Sequence, residues 1–313
     1  MNDKIDICFS VNEGYVEHLS ATIISILRNE SYSARRYRFN ILVSKLFTDD
    51  TLKRLRKDIE AEGGDWGNVV FHVIDASLFK GLGLAISYIT KETYYRYLIP
   101  NIISQAKKAI YLDADLVLVG KGLTKLWNID IDDFYMAGVE DSYVLRMGHK
   151  EKIGLHEGDC YVNAGVLLLN LEKMRKENKV EELIDCTLRN QDKFEYQDQD
   201  ALNVVFKGKV KSIPVGFNVT SDTLLLRGGD GLLEEDVIVH FTGKEKPWGG
   251  GRYHTKSIIL QNHLDDLYYS FLNNTRYPKK KMSRFINKVF WFFYHKDYYE
   301  SRKVICLFGV KFK

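Results

Sequence analysis

The chain of 313 residues is 45% hydrophobic and 28% charged, with a formal net charge of +3. This composition predicts one large globular unit and argues against a low-complexity or disordered chain. The first residues run directly into a short apolar stretch and no run of 18 apolar residues occurs, so neither a secretory signal peptide nor a membrane-spanning helix is expected. Four scattered cysteines form no C-x-x-C pair, which fits a reducing compartment and does not indicate zinc.

Hydrophobic runs and helical periodicity alternate along most of the sequence. In chain order, strands are predicted at residues 5–11, 39–43, 69–74, 109–112, 136–139, 165–169 and 237–241. Helices are predicted at residues 19–27, 49–62, 93–98, about 171–190 and 198–206. Such alternation is typical of a mostly parallel sheet covered on both faces, whose ligands bind beyond the carboxyl ends of the strands. Three polar segments fall at those ends, at residues 10–12, 113–115 and 240–243.

Two aspartates, Asp113 and Asp115, leave the buried strand at residues 109–112 together. As the chain turns, both carboxylates can point to one position, where they repel each other unless a cation lies between them. Carboxylate oxygens of this kind suit Mn²⁺ or Mg²⁺. Two solvated loop aspartates are the alternative, because the tripeptide is common, but the preceding apolar strand favours a metal site.

A second polar segment begins with His240 and continues to residue 248. Its imidazole can complete a metal site and favours Mn²⁺ somewhat over Mg²⁺. Gly243 allows the backbone to approach a phosphate, and Lys246 can neutralise diphosphate charge. Taken alone, this segment favours a core histidine followed by a basic turn.

Residues 161–165 and 196–200 gather amides and carboxylates at the starts of elements. Such groups suit a hydroxyl-rich ligand, which needs both donors and acceptors. Alternatively, Asp198 caps the helix that runs to residue 206.

Together these motifs resemble glycosyltransferase family 8, which includes bacterial lipopolysaccharide galactosyl- and glucosyltransferases and glycogenin. The resemblance covers about residues 4–260, and it rests on order and spacing rather than on any single motif. The motifs are Phe9-Ser10-Val11-Asn12 with Tyr15, Thr93-Tyr94-Tyr95-Arg96, Tyr111-Leu112-Asp113-Ala114-Asp115, Asn163-Ala164-Gly165-Val166-Leu167-Leu168-Leu169-Asn170, Tyr196-Gln197-Asp198-Gln199-Asp200, and His240-x-x-Gly243-x-x-Lys246-Pro247-Trp248.

The resemblance implies an α/β fold of GT-A type, a Rossmann-like and mostly parallel sheet flanked by helices, with Mn²⁺ or alternatively Mg²⁺ as cofactor. It implies that the metal ligands are Asp113, Asp115 and His240. It implies that the UDP-sugar donor is bound by Ser10, Asn12 and Tyr15 at the uridine, by Arg96 toward the sugar and the diphosphate, by Asn163, Ala164 and Gly165 at the sugar, and by Gly243 and Lys246 at the diphosphate. Asp113 and Ala114 also belong to the implied donor-binding set. Asp198 then binds sugar hydroxyls, and Gln199 lies under the reacting face of the anomeric carbon.

The family also implies that the transferred sugar keeps its anomeric configuration. Gln199 is an uncharged amide and a poor nucleophile, so we favour same-face attack over a covalent double displacement. The leaving phosphate oxygen then accepts the acceptor's proton, and Lys246 helps to stabilise the UDP. One departure is Asn12, where many bacterial members have aspartate, which leaves the detail of the uridine contacts open.

From residue 276 onward the chain carries eleven lysines or arginines, eleven aromatic residues and only two acidic residues. We therefore divide the sequence into a catalytic domain at residues 1–265 and a basic, aromatic, helical tail at residues 266–313. Such a tail predicts attachment to an anionic membrane surface, at the inner face of the cytoplasmic membrane. Packing on the catalytic body or on the second subunit of a homodimer is the alternative. Nucleic acid is not expected, because no nucleic-acid motif accompanies the basic run.

The predicted function is therefore a retaining, Mn²⁺-dependent transfer of galactose or glucose from a UDP-sugar to a saccharide or lipid-linked cell-envelope acceptor. A glycogenin-like self-glucosylating protein, a haloacid-dehalogenase-type phosphatase and a non-catalytic sugar-binding scaffold are the alternatives. The phosphatase motif normally opens its domain, whereas here Asp113 follows a long segment. Neither the donor sugar, the acceptor and linkage nor the oligomeric state follows from the sequence.

Overall fold

The structure is a computed structural model that describes residues 4–30, 36–86, 90–228, 231–243, 246–248, 258–277, 294–299, 302–307 and 310–312. Its strands are β1 Ile5–Ser10, β2 Tyr37–Val43, β3 Val69–Val73, β4 Lys108–Leu112, β5 Leu116–Leu118, β6 Met136–Glu140, β7 Val162–Asn170, β8 Val210–Ser212, β9 Ile238–His240, β10 Tyr294–Tyr299, β11 Arg302–Leu307 and β12 Val310–Phe312.

The α-helices are α1 Val16–Asn29, α2 Asp49–Ala61, α3 Ile99–Ile102, α4 Leu123–Trp127, α5 Ser142–Arg146, α6 His149–Lys152, α7 Leu171–Lys176, α8 Lys179–Arg189, α9 Asp198–Val205, α10 Ser221–Leu226 and α11 Ile258–Leu272. Short 3₁₀ helices lie at Glu13–Tyr15, Trp66–Asn68, Ala76–Phe79, Lys91–Leu98 and Val215–Phe217.

Seven strands form the main sheet, in the order β3-β2-β1-β4-β7-β6-β8. All neighbours in it run parallel except β7, which is antiparallel to both β4 and β6. β5 and β9 pair as a separate antiparallel ribbon, with Leu116 opposite His240. The prediction of a mostly parallel sheet flanked by helices is confirmed.

The reversed strand β7 determines which residues meet at the functional edge of the sheet. Because β7 runs against β4, the start of β7 lies beside the end of β4. The two strands are in register at Leu112 and Val166, and the next backbone amide, that of Asp113, donates to the Gly165 carbonyl at 2.8 Å. The first residues of β7 therefore lie at the edge where β1 and β4 end.

Side chains alternate between two hydrophobic layers on the two faces of the sheet. On β7, Val166 and Leu168 join one core cluster with Leu19 of α1. Leu167 joins the other cluster with Leu183 of α8. With both faces buried, the strands are continuous apolar runs, which is why they were predictable from hydrophobicity.

The elements depart from the sequence prediction at several positions, and three of these have a physical explanation. The single helix predicted at about 171–190 is two helices, α7 and α8, because Asn178 between them takes a left-handed conformation with φ 51°. The helix predicted at 93–98 is the 3₁₀ helix Lys91–Leu98. The strands β5 and β8 were not predicted, since three residues are too short for a recognisable hydrophobic pattern.

The C-terminal part differs more strongly from its prediction. Helix α11 spans the predicted boundary at residue 265, and its Leu264 and Tyr268 pack in one cluster with Ile24 of α1. Beyond it, β10, β11 and β12 form a three-stranded antiparallel sheet, so the prediction of a helical tail is wrong for these residues. Their aromatic and β-branched composition favours strands. The basic and aromatic run at residues 278–293 lies outside the described residues.

Within the part of the chain that the structure describes, no helix combines the length and the apolar character needed to cross a bilayer.

A buried carboxylate fixes the point where the chain leaves the body after α11. Asp58 of α2 is fully buried and accepts from the Ser20 hydroxyl of α1 at 2.7 Å. It also accepts from the Arg276 backbone amide at 3.1 Å and from the Arg276 guanidinium at 2.8 Å. The next residue, Tyr277, is buried in the core cluster that contains α1.

We expect Asp58→Ala to lower the free energy of unfolding by about 1–3 kcal/mol, because it leaves the Ser20 hydroxyl and the Arg276 amide without their acceptor. Glu60→Ala on the same helix is the control, since it breaks the exposed Arg56–Glu60 ion pair and should cost less than about 1 kcal/mol. Urea unfolding with unchanged m-values measures both effects. Equal costs for the two variants would contradict the anchoring role of Asp58.

Candidate active site

The structure brings Asp113, Asp115 and His240 together at one point, although they come from two different strand ends. His240 Nε2 lies 3.2 Å from Asp115 Oδ1 and 3.7 Å from Asp113 Oδ2. One ligand atom from each of the three residues lies within 4.8 Å of the others. His240 is buried and both aspartates are partly exposed, so the cluster opens to solvent on the carboxylate side.

Gly165 of β7 lies directly against this cluster. A β-carbon at this position would lie 2.1 Å from His240 Cε1 and 2.8 Å from Asp113 Oδ2. Only a residue without a side chain therefore lets β7 pass so close to the imidazole and the carboxylate. The three ligand atoms are close enough to share one divalent cation, and two carboxylates with one imidazole suit Mn²⁺.

Two cationic side chains balance the acidic pair. Lys246 forms an ion pair with Asp115 through Nζ and Oδ2. Burial raises the pKa of Asp115, but Lys246 and His240 lower it by more than burial raises it. The pKa of Asp115 therefore lies well below its usual range. On the other side, Arg96 Nη2 lies 3.1 Å from Asp113 Oδ1. Asp113 and Asp115 thus each contact a different cation, Arg96 and Lys246.

Arg96 also connects the acidic pair to the start of α9. It is buried, its Nε lies 2.9 Å from Asp198 Oδ2, and its guanidinium stacks 4.2 Å from the ring centre of Tyr111. Burial lowers the pKa of Arg96, whereas its acidic neighbours, Asp198 first, raise it well above its ordinary value. Arg96 also donates to the Ala164 carbonyl at 2.6 Å. One guanidinium therefore joins β4, β7 and α9.

Asp198 and Gln199 occupy the first turn of α9, and both are buried. Asp198 Oδ1 accepts from the Thr93 hydroxyl at 2.6 Å, while the N-cap position of α9 is Gln197, so capping is not the role of the Asp198 side chain. Burial raises the pKa of Asp198, and Arg96 and Thr93 offset part of this rise. Gln197 itself adopts a φ of 51°, a strained backbone conformation immediately before Asp198 and Gln199.

A continuous set of hydrogen bonds runs from the histidine to Gln199. His240 Nδ1 lies 3.0 Å from Asn218 Oδ1, and Asn218 Nδ2 donates to Asn163 Oδ1 at 2.9 Å. Asn163 Nδ2 and Gln199 Nε2 both donate to Asp141 Oδ2, at 2.9 and 3.0 Å. Gln199 Oε1 accepts from the Ala164 backbone amide at 2.9 Å.

Asp200, the residue after Gln199, makes all its hydrogen bonds within the protein. Asp200 is completely buried and accepts from the Tyr161 hydroxyl at 2.6 Å, from His149 Nε2 at 2.9 Å and from the Tyr196 amide at 2.9 Å. The Tyr161 hydroxyl in turn lies 3.1 Å from Gln199 Nε2. Asp200 therefore orients Gln199 through Tyr161.

The residues expected at the uridine lie at the end of β1 and the start of α1. The Ser10 hydroxyl donates to the Glu92 carbonyl, and Asn12 Nδ2 lies 3.4 Å from the Thr90 hydroxyl. Tyr15 packs edge-on against Trp248, with 6.1 Å between ring centres. Since Lys246 lies two residues before Trp248, this contact links the expected uridine pocket to the acidic cluster.

Trp248 is also held by an aromatic stack on its other contacts, with His18 of α1 and Tyr268 of α11. His18 stacks on Trp248 with 3.7 Å between ring centres, and its Nδ1 contacts the Tyr268 hydroxyl of α11. Burial lowers the pKa of His18 to about 3, so the ring is neutral at pH 7. Gly243, between His240 and Lys246, has a φ of 78°, the left-handed conformation that favours glycine.

Sequence reasoning missed several side chains of this site: Asn218, Asp141 and His18. Asn218 and Asp141 stand alone in irregular segments, where no local pattern marks them. His18 lies on the buried face of α1 and looks like part of an ordinary core helix. The pairing of Asn218 with a histidine 22 residues away is a tertiary contact without a local signal.

The sequence profile described as "Glycosyl transferase family 8" matches residues 6–250. A putative glycosyltransferase of Haemophilus influenzae is 34% identical over 271 residues, which covers 85% of this chain and 78% of that protein. A lipopolysaccharide 1,3-galactosyltransferase of Salmonella typhimurium is 26% identical over 274 residues, covering 83% and 77%.

The fold is similar to that of a galactosyltransferase, LgtC, solved in complex with donor and acceptor sugar analogues. The TM-score is 0.73 at 25% identity, and the match covers 89% of this chain and 99% of LgtC. This similarity confirms the GT-A type fold that the sequence predicted.

We expect Gly165→Ala to weaken binding of Mn²⁺ at least about tenfold, because the added carbon overlaps His240 and forces a ligand out of position. Titration calorimetry with MnCl₂ measures the affinity. Gly158→Ala is the matched control, since a β-carbon there meets no atom within 4 Å. If Gly165→Ala bound Mn²⁺ like the unchanged chain, the cluster would not be the cation site.

Proposed function

This chain belongs to glycosyl transferase family 8 and is a hexosyltransferase, and from this premise we propose that it transfers galactose or glucose from a UDP-sugar to a saccharide or glycolipid acceptor with retention of configuration. The observation that carries the proposal is the convergence of Asp113, Asp115 and His240 beside Gly165, next to a buried polar network that ends at Gln199.

The acidic cluster has the donor set for Mn²⁺, with Mg²⁺ as the alternative ion. A divalent cation bound by Asp113, Asp115 and His240 would stabilise, as a Lewis acid, the negative charge that develops on the UDP leaving group. Lys246 contacts the same cluster, so its ammonium would offset the charge of a diphosphate bound beside the cation. Gly243, in the same loop, leaves the backbone accessible to phosphate oxygens.

The sugar would lie between the start of β7 and the start of α9. Arg96 and Asp198 form a buried ion pair at this position, and hydroxyl groups of a hexose can exchange hydrogen bonds with both. Asn163, Ala164 and Gly165 form the facing wall, and the Asn163 side chain is already oriented by Asp141. Ala114 lies between the two metal-binding aspartates and is buried.

The environment of Gln199 favours same-face attack over a covalent intermediate. Its Nε2 group donates to Asp141 and Tyr161, and its Oε1 accepts one bond from Ala164, which leaves one lone pair of Oε1 for the sugar. A hydrogen-bonded amide is a poor nucleophile, but its carbonyl dipole can stabilise positive charge on the anomeric carbon. The departing phosphate oxygen then takes the proton of the acceptor hydroxyl.

Names of relatives favour an envelope acceptor over self-glucosylation. The Salmonella protein is a lipopolysaccharide 1,3-galactosyltransferase, and an Escherichia coli relative, 24% identical over 259 residues, is a lipopolysaccharide 1,2-glucosyltransferase. These names support galactose or glucose as the sugar and a cell-envelope saccharide as the acceptor. Membership of this family excludes the phosphatase interpretation.

The basic C-terminal segment supports attachment to an anionic membrane surface, where a lipid-linked acceptor would be presented. Residues 278–313 contain ten lysines or arginines and two acidic residues. Each cationic side chain near an anionic surface adds about 1 kcal/mol of binding. Attachment at the inner face of the cytoplasmic membrane is therefore part of the proposal.

The transferase proposal predicts UDP release from one donor among UDP-galactose, UDP-glucose, UDP-N-acetylglucosamine and UDP-N-acetylgalactosamine. We expect release to require Mn²⁺, to stop with EDTA and to fall on the order of 100-fold in Asp115→Ala, because the cation then loses a ligand. Asp192→Ala, at an exposed carboxylate outside the site, is the control and should be unaffected. Mn²⁺-dependent UDP binding without release from any donor, even with saccharide acceptors, would support the scaffold interpretation instead.

The membrane proposal predicts that the full chain sediments with vesicles containing phosphatidylglycerol and that added salt weakens this binding. Truncation after Tyr277 should abolish it without affecting donor hydrolysis, because Arg276 and Tyr277, which pack on the body, are retained. Vesicles of phosphatidylcholine alone are the lipid control. If truncation left vesicle binding unchanged and altered the oligomeric state, the tail would instead be a subunit contact.

A further inference from the structure

The hydrogen-bond network between His240 and Gln199 has a direction that two backbone amides determine. A backbone N–H can only donate. The Gly165 N–H donates to Asn163 Oδ1 at 3.0 Å, and the Ala164 N–H donates to Gln199 Oε1 at 2.9 Å. Both side-chain amides are thereby fixed in one orientation, with their oxygens on β7 and their NH₂ groups on Asp141.

The orientation of Asn163 determines that of Asn218. Since Asn163 Oδ1 is an acceptor, the Asn218 atom 2.9 Å away must be its NH₂ group. Asn218 Oδ1 then faces His240 Nδ1 at 3.0 Å, and because this oxygen can only accept, Nδ1 must carry the proton. His240 Nε2 faces Asp113 and Asp115, and with Nδ1 as the donor to Asn218 it is the nitrogen whose lone pair can bind a cation held by these carboxylates.

We propose that Asn218 is a positioning residue that fixes His240 in its metal-binding tautomer and, with its other end, holds Asn163 at the sugar-facing wall. This inference rests on the proposed cation site. It gives Asn218 two separable tasks, because its oxygen serves the histidine and its NH₂ group serves Asn163.

The burial of Asn218 supports the assignment. The residue is 1% exposed, and it precedes the short bridge that pairs Val219 with Val239 of β9. The strand that carries His240 thus lies directly beside the segment that carries Asn218. A histidine ligand whose second nitrogen donates to a fixed acceptor has its ring orientation set before the cation arrives.

The chain offers a matched control in Asn40. Asn40 is also 1% exposed, its Oδ1 lies 3.0 Å from His72 Nε2, and its Nδ2 donates to Asp6 Oδ1 at 2.8 Å. Each asparagine therefore places its Oδ1 on a histidine and donates through Nδ2 to a side-chain oxygen, that of Asn163 for Asn218 and that of Asp6 for Asn40. Asn40 lies on β2, however, and its histidine belongs to none of the clusters that could hold a metal among the described residues.

The test compares Asn218→Leu and Asn218→Asp with Asn40→Leu, by calorimetric titration with MnCl₂ and by thermal unfolding. Asn218→Leu should weaken Mn²⁺ binding about 10- to 100-fold, because His240 loses its acceptor. Asn218→Asp should recover most of that affinity, because a carboxylate still accepts from Nδ1. Asn40→Leu should leave Mn²⁺ affinity unchanged, even where it lowers the melting temperature.

Donor hydrolysis tests the second task of Asn218, which is to hold Asn163, separately from its effect on His240. The carboxylate in Asn218→Asp cannot donate to Asn163. Its turnover should therefore be up to about 100-fold lower than that of the unchanged chain, although its Mn²⁺ affinity is largely restored. Wild-type Mn²⁺ affinity in Asn218→Leu, or an equal loss in Asn40→Leu, would overturn the positioning role. If Asn218→Leu does not fold, full turnover in Asn218→Asp overturns the proposal. Failure of the unchanged chain to bind Mn²⁺ would instead remove the proposed cation site.

Discussion

Charge balance around two neighbouring carboxylates is the constraint on which the site depends. Asp113 and Asp115 follow a buried strand two residues apart, and two carboxylates so close repel each other unless positive charge lies beside them. The protein places a different cation on each, Arg96 on Asp113 and Lys246 on Asp115. These partners come from a 3₁₀ helix and a C-terminal loop, so the acidic pair holds together parts of the chain that are far apart in sequence.

One reversed strand makes the remaining contacts available. With β7 parallel to its neighbours, the Asn163 to Gly165 segment would lie at the opposite edge of the sheet. Running antiparallel, β7 brings two backbone amides, two carbonyls and a residue without a side chain to the acidic pair. A backbone N–H always donates and a backbone carbonyl always accepts. These groups therefore determine which side-chain atoms of the network donate and which accept.

The sequence was informative where a local pattern carries the information. Buried strands are apolar runs, and Asp113 and Asp115 stand out because they end one. The direction of β7 was not predictable, since a buried apolar run reads the same for either strand direction. Asn218 and Asp141 were not predictable because their roles depend on partners 55 and 22 residues away along the chain. The tail was assigned the wrong element, because basic and aromatic composition suits an amphipathic helix and a strand alike.

The Asp58–Arg276 contact limits the distance between the catalytic body and the C-terminal sheet. It fixes the chain at Tyr277, and only sixteen residues separate that point from β10. A polypeptide spans at most about 3.6 Å per residue, so the C-terminal sheet begins within roughly 60 Å of the anchor. If the proposed membrane attachment is made by this sheet, an acceptor on the same membrane surface would stay within about that distance of the anchor, which would raise its effective concentration at the catalytic body.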